Sequence, residues 1–156
     1  MAHPDYEEFL DAFNARRVRY LIGGAHAVAL YAQPRATRDF DVFIDRTPAN
    51  ARRAVEAVTD FFGAPAPGCM RAEDLLDPMV FIQLGVAPVR IDILTSLGAT
   101  TFRVAWRRRF EARFGRVSAH YLALDDLIAE KEHWARPQDL VDLQSLRRAR
   151  GRRSSD

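Results

Sequence analysis

Residues 20–44 read YLIGGAHAVALYAQPRATRDFDVFI, and their pattern decides the fold. An apolar run ends at Gly23-Gly24, small and apolar residues follow to Ala32, Pro34 stops them, and a second apolar run carries Asp39 and Asp41. The reading is strand, tight turn, helix, strand. Residues two apart in a strand share a face, so Asp39 and Asp41 project together while Phe40, Val42 and Ile44 point into a core. Two neighbouring carboxylates repel each other and favour a cation between them. A Gly-Gly turn opening a helix lets backbone N–H groups approach a phosphate closely, with the helix dipole in support. Phosphate at the glycines and a metal at the acids predict a nucleotide site.

Working outward, residues 5–16 place Phe9, Leu10 and Phe13 on one face of an amphipathic helix, and 18–22 is a buried strand. The small residues of 25–32 predict a helix packed closely on the sheet. Its His26 is expected to be packed or exposed rather than turned to the site. Thr47 and Pro48 form a helix start, as N-cap and first helical residue, with Val55, Val58 and Phe62 as the core stripe. GAPAPG at 63–68 reads as a loop, and a short helix at 73–76 leads to a strand at 79–84. In the strand at 89–94, Val89, Ile91 and Ile93 alternate with Arg90 and Asp92. An acid in mid-strand is disfavoured. Asp92 either pairs with Arg90 on its own face or serves as a third metal-site carboxylate, and the acids at 39 and 41 favour the second. Residues 99–114 predict a basic helix with Phe102, Trp106 and Phe110 on its core-facing side. A last strand at 117–122 precedes helices at 125–135 and 137–149, broken at Arg136-Pro137.

Composition sets outer limits. A chain of 156 residues, 48% hydrophobic and 28% charged, reads as one domain over 1–150, with 151–156 as a basic, disordered tail. Its apolar runs are too short to span a bilayer, and the start MAHPDYEE is not a signal peptide, so no membrane partner is expected. The one cysteine, Cys69, excludes an internal disulfide and fits a reducing cytoplasm. The net charge of +2 is spread unevenly, with arginines clustered at 103–116 and 147–153. Such clusters meet phosphate backbones or form solvated helix faces. Lys131 is the only lysine, in a chain that otherwise uses arginine.

Gly23-Gly24, Arg35, Thr37, Asp39 and Asp41, followed by a hydrophobic run, resemble the GG…R-x-[ST]-x-D-x-D signature of minimal nucleotidyltransferases. These belong to the DNA-polymerase-beta-like superfamily, and the nearest likeness is to AbiEii-like proteins of abortive-infection and toxin–antitoxin systems. Near the C-terminus, ALDDLIAEKEHWARPQDLVDL resembles the family's K…R-x-x-D-x-x-D pattern through Lys131, Arg136, Asp139 and Asp142. The resemblance spans roughly residues 20–146. It departs at the turn, where Gly-Ser or Gly-Gly followed by Ser or Thr is common and this chain has Gly23-Gly24-Ala25. No hydroxyl is then available for a terminal phosphate. Backbone N–H groups suffice, or triphosphate binding is weaker or the activity lost.

The resemblance implies an α+β nucleotidyltransferase fold, a mixed sheet flanked by helices with a small C-terminal helical cap. It also implies transfer of a nucleoside monophosphate from a triphosphate to RNA, possibly tRNA, or to a protein, with Mg2+ or Mn2+ as cofactor. In such chemistry two divalent ions activate the nucleophile and stabilise the leaving oxygen. By resemblance, Asp39 and Asp41 bind both ions, and Asp92 binds one and orients or deprotonates the acceptor. Gly23, Gly24, Arg35, Thr37, Lys131 and Asp139 then hold the nucleotide. Leu127, Lys131 and Trp134 share one helical stripe, so the ammonium either snorkels to water or aims at triphosphate oxygens, with Asp139 near enough to hold it. A cognate toxin or antitoxin is the implied protein partner. The rival expectation is a degenerate member that binds RNA or a partner protein without catalysis. Antibiotic modification is a third, for which no drug pocket is legible.

Overall fold

The computed structural model describes residues 3–37, 39–86 and 88–155. In chain order the elements are α1 (Pro4–Ala15), β1 (Tyr20–Ile22), α2 (Gly24–Tyr31), β2 (Asp39–Ile44), α3 (Pro48–Phe62), β3 (Phe81–Val86), β4 (Val89–Leu94), α4 (Phe102–Arg108), β5 (Phe110–Phe114), β6 (Val117–Tyr121), α5 (Leu124–Trp134) and α6 (Pro137–Ser155), with short 3-10 turns at Pro67–Cys69 and Ala72–Leu76. The strands form one six-stranded sheet in the order β3-β4-β2-β1-β6-β5. β2 pairs parallel with β4 and β1 parallel with β6, while the β1–β2, β3–β4 and β5–β6 pairs are antiparallel. The class is therefore α+β, with a mixed sheet and flanking helices. Among the described residues no helix is long and apolar enough to cross a membrane.

Period-2 alternation in β2 divides its side chains as expected. Phe40, Val42 and Ile44 are buried, and Phe40 stacks on Tyr6 of α1 at 4.7 Å between ring centroids. Ile91 and Ile93 of β4 join this core. His26 sits on the same side, its ring 5.0 Å from Phe40 and 5.4 Å from Tyr6. Burial lowers its pKa to about 4, so it is a neutral packed ring rather than a site residue. On the other face of the sheet, Asp39, Asp41 and Phe43 line an open cleft bounded by α5 and α6.

Several features differ from the sequence reading, among them β3, which runs over Phe81–Val86 rather than 79–84. The α1–β1 link closes α1 through the Val18 N–H on the Phe13 carbonyl, with Arg17 at φ 55°, so pairing begins only at Tyr20. In α3, Thr47 caps the helix and Pro48 opens it as expected. The stripe facing the core, however, is Asn50, Ala51, Ala54, Ala57 and Val58, and Phe62 is 39% exposed. Close packing of α3 selects alanines, a stripe weaker in hydrophobicity than the one its larger residues suggested. The basic helix expected over 99–114 is broken at Arg109, where the backbone turns extended. FEARF then alternates as β5 and returns through Gly115-Arg116, with positive φ at the glycine alone, to pair Phe114 with Val117. A two-residue turn with glycine first is a favoured hairpin connection. Phe110 consequently leaves the aromatic row and is exposed, while Phe102 and Trp106 remain part-buried and stacked. Finally, α6 continues to Ser155, so residues 151–155 are helical where a disordered tail was expected. Asp156 lies outside the described residues.

Candidate active site

The parallel register of β2 and β4 assembles the acidic half of the cleft. Asp41 pairs across the strands with Asp92, and Asp39 pairs with Arg90. Residues paired in this way share a face, so all four side chains enter the same cleft. Of the two readings of Asp92, the contact with Arg90 on its own face is present. Asp92 stands beside the other acids, and Arg90 Nε lies 3.5 Å from its Oδ1. Arg90 Nη2 meanwhile lies 2.8 Å from Asp39 Oδ1.

The acids are not equally charged. Burial, then repulsion from Asp92 and Asp39, pushes the Asp41 pKa up to about 7, against a weaker opposing pull from Lys131. Burial also raises Asp92, partly offset by Arg90, and its hydrogen bond with Asp41 favours its carboxylate form. Of the pair, Asp41 is the carboxyl pushed more strongly towards its protonated form.

The glycine turn abuts these acids. Gly23 donates its N–H to the Asp41 carbonyl at 3.0 Å, and Gly24 adopts φ +59°. A Cβ on Gly24 would collide with the Asp41 carboxylate, and one on Gly23 would lie 2.5 Å from the Phe43 ring. No side chain caps the N-terminus of α2, so its first N–H groups stay available beside the acids. Gly24→Ala is expected to destabilise the fold by about 1–3 kcal/mol through the left-handed backbone and the clash. Because it displaces Asp41, it should also cut any metal affinity by more than the stability loss alone explains. Denaturant unfolding and metal titration of the same sample check both parts.

The opposite wall comes from α5 and α6 and pairs its cations with acids. Lys131 is only 7% exposed, and its Nζ lies 3.1 Å from Asp139 and 3.0 Å from Asp142. Asp139 also accepts from Arg136, through the side-chain Nε at 2.8 Å and the backbone N–H at 3.1 Å. Asp142 accepts a two-pronged bond from Arg35, at 2.9 and 3.0 Å. Burial alone would raise these two acids, but hydrogen bonds from the guanidinium groups and Lys131 outweigh it and hold both below the usual carboxylate range. Lys131 thus neither snorkels nor points free into the cleft. Thr37 uses its hydroxyl to accept from the Asp39 N–H at 3.2 Å, fixing the entry to β2.

Together these walls enclose a cleft of about 800 Å³, within the usual range for a small-molecule site. Of the residues singled out from sequence, Gly24, Arg35, Thr37, Asp39, Asp41, Asp92, Lys131 and Asp139 line it, and Gly23 lies just behind. Arg90, Glu130 and Trp134 are further lining residues not assigned a site role from sequence. Glu130 accepts from the Gly98 and Ala99 N–H groups, both at 2.7 Å, and from Trp134 Nε1 at 3.0 Å. It ties the loop after β4 to α5, and its place one residue before Lys131 was the available signal. Trp134, expected on a core-facing stripe, is 54% exposed at the mouth.

Among the described residues, no three Asp, Glu, His or Cys side chains are arranged to hold a metal ion. Asp39 is turned to Arg90. The donor set still fits a hard divalent cation, which prefers oxygen ligands. Asp92 Oδ1 is buried without a hydrogen-bond partner, and the repulsion that raises Asp41 is what a cation would relieve. Compared with known proteins, the chain matches no family model and no curated sequence.

Proposed function

We propose that this chain is a minimal nucleotidyltransferase of AbiEii-like type, with the nucleotidyltransferase fold, transferring a nucleoside monophosphate from a triphosphate to an RNA or protein acceptor. The observation that carries this reading is the convergence of Asp39, Asp41 and Asp92 in one cleft, opposite a wall where Lys131 and Arg136 are paired with Asp139. Asp39, Asp41 and Asp92 would hold Mg2+ or Mn2+, and the bound ions would neutralise phosphate charge and activate the acceptor hydroxyl. The chain's own residues supply the rest. The uncapped α2 N-terminus offers backbone N–H groups to the phosphates in place of the absent hydroxyl. Arg136, whose side chain is well exposed, is the wall cation best able to reach a ligand, whereas Arg35 and Lys131 are committed to the acids behind them. Asp92, beside Asp41 in the cleft, is the group to orient the acceptor or accept its proton.

A second reading, binding of RNA or a partner protein without catalysis, draws support from Ala25 at the turn and from the prior engagement of Lys131 and Arg35. In that case binding falls steeply with salt and with loss of Arg107–Arg109. This cluster is itself partly engaged, with Arg108 3.3 Å from Asp126 and Arg109 2.7 Å from Glu111. The deciding experiment offers each labelled nucleoside triphosphate, with magnesium or manganese, to total RNA and total protein. Label entering one RNA or protein band supports transfer, and its identity names the acceptor. Nucleic-acid binding without transfer, over the whole panel, favours the second reading. A role in toxin–antitoxin or phage-defence modules, in the cytoplasm beside a cognate protein, belongs to the same proposal.

A further inference from the structure

Arg90 stands where the site's geometry least needs a structural ion pair. Its side chain is about one-third exposed, it projects from β4 into the cleft rather than the core, and it reaches two of the three acids. The contact to Asp39 is a close ion pair at 2.8 Å. The contact to Asp92 is loose. Arg90 Nε and Asp92 Oδ1 lie 3.5 Å apart, yet each is buried and neither has a hydrogen-bond partner. A guanidinium locked for stability normally satisfies its carboxylates with two directed bonds, as Arg35 does on Asp142. Here charge holds the group while its Nε–H stays without a hydrogen-bond partner.

We propose that Arg90 is a displaceable internal counter-cation that occupies the acidic site before a divalent ion arrives and competes with it for Asp39 and Asp92. This rests on the nucleotidyltransferase reading and deepens it, since it concerns how the same acids are kept ready. A guanidinium and a divalent ion on the same two carboxylates repel each other, so metal entry requires Arg90 to leave Asp39. The move is local. It needs only rotation of a side chain about one-third exposed, because the backbone of Arg90 is fixed by pairing with β2 and β3. Once released, the guanidinium remains in the cleft, free to pair with an incoming phosphate.

The test is calorimetric titration of Mg2+ and Mn2+ into wild type, Arg90→Gln and Arg90→Lys, with Asp41→Asn as the variant lacking a ligand. The expected result is metal affinity raised roughly five- to tenfold in Arg90→Gln, near wild type in Arg90→Lys, and lowered in Asp41→Asn. Unchanged or weaker binding by Arg90→Gln, with wild type binding normally, overturns the inference and leaves the catalytic reading standing. Metal binding absent from wild type and from Arg90→Gln alike overturns both. A second measurement needs only the wild-type fold: the Arg90 Nε–H resonance, assigned by its loss in Arg90→Lys, followed as Mg2+ is added. It should shift as the site saturates. A resonance that stays fixed at saturation overturns the displacement.

Discussion

Asp41→Asn is expected to reduce nucleotide transfer by on the order of a thousandfold or more while making the metal-free fold more stable at pH 8. On the proposed transferase reading, the first effect follows from removing a charged ligand of the ions that Asp41 would hold, worth several kcal/mol in the transition state. The second follows from linkage. In the folded chain Asp41 titrates at about 7, against 3.8 for an ordinary Asp. Between those values the folded state holds a proton that the unfolded chain has released, so stability falls as pH rises from about 4 to about 7. Asn is neutral throughout and loses that slope. Wild type and variant should therefore melt alike near pH 4 and diverge towards pH 8, with the variant ahead by on the order of 1–2 kcal/mol. Asp39→Asn should match the loss of transfer without the gain in stability, because it also deprives Arg90 of its 2.8 Å partner. Melting curves over pH 4–8.5 and parallel transfer assays check both statements. Transfer at the wild-type rate in Asp41→Asn removes this residue from the chemistry.

The acidic half of the site was legible because its determinants are local. A period of two in a short strand places Asp39 and Asp41 together, and alternation in Val89–Leu94 places Asp92 opposite the apolar row. What the alternation could not supply was the strand neighbour. That β4 lies parallel to β2, with Asp92 level with Asp41, depends on a crossover through α3 and β3 rather than on any residue pattern. Arg90 was visible only as a partner for Asp92. Its stronger contact is with Asp39, on the adjacent strand, and such a contact exists only once the register is set. The basic stretch before Gly115 misled for a different reason. Phe102, Trp106 and Phe110 fit a helical spacing, but Phe110, Ala112 and Phe114 fit a strand equally well. The hairpin with β6, a non-local gain, decides between them. Of the expected α3 stripe, Val58 is buried and Val55 packs on the core while Phe62 is exposed, and the alanines that complete it carry too little hydrophobicity to stand out in sequence.

The basic half shows how far a correct residue can be from its expected role, and Lys131 makes the difference measurable. From sequence alone, removing this lysine should weaken triphosphate binding and leave the fold intact. The structure predicts otherwise. Lys131 bridges Asp139 and Asp142, which are each 2% exposed, and so links α5 to α6 from inside. Lys131→Met keeps the stem's volume but leaves two buried carboxylates with one cation fewer each. Breaking a buried ion pair typically costs about 3–5 kcal/mol. Here Arg136 and Arg35 still serve the two acids, so a loss of roughly 2–4 kcal/mol is expected. Adding Asp142→Asn to Lys131→Met should recover part of it, because the second change removes a charge that the first left undercompensated. The pH signature has the opposite sign to that of Asp41. Asp139 and Asp142 are held below their ordinary pKa values, so they stabilise the fold above that range and cease to do so as pH falls through it. Lys131→Met should flatten this acid limb. Chemical denaturation of the single and double variants, at pH 7 and pH 3.5, measures the coupling directly. A folded Lys131→Met of unchanged stability, with weakened nucleotide binding, would return the lysine to the phosphates. Lost stability that Asp142→Asn partly restores makes it the ionic pin between α5 and α6.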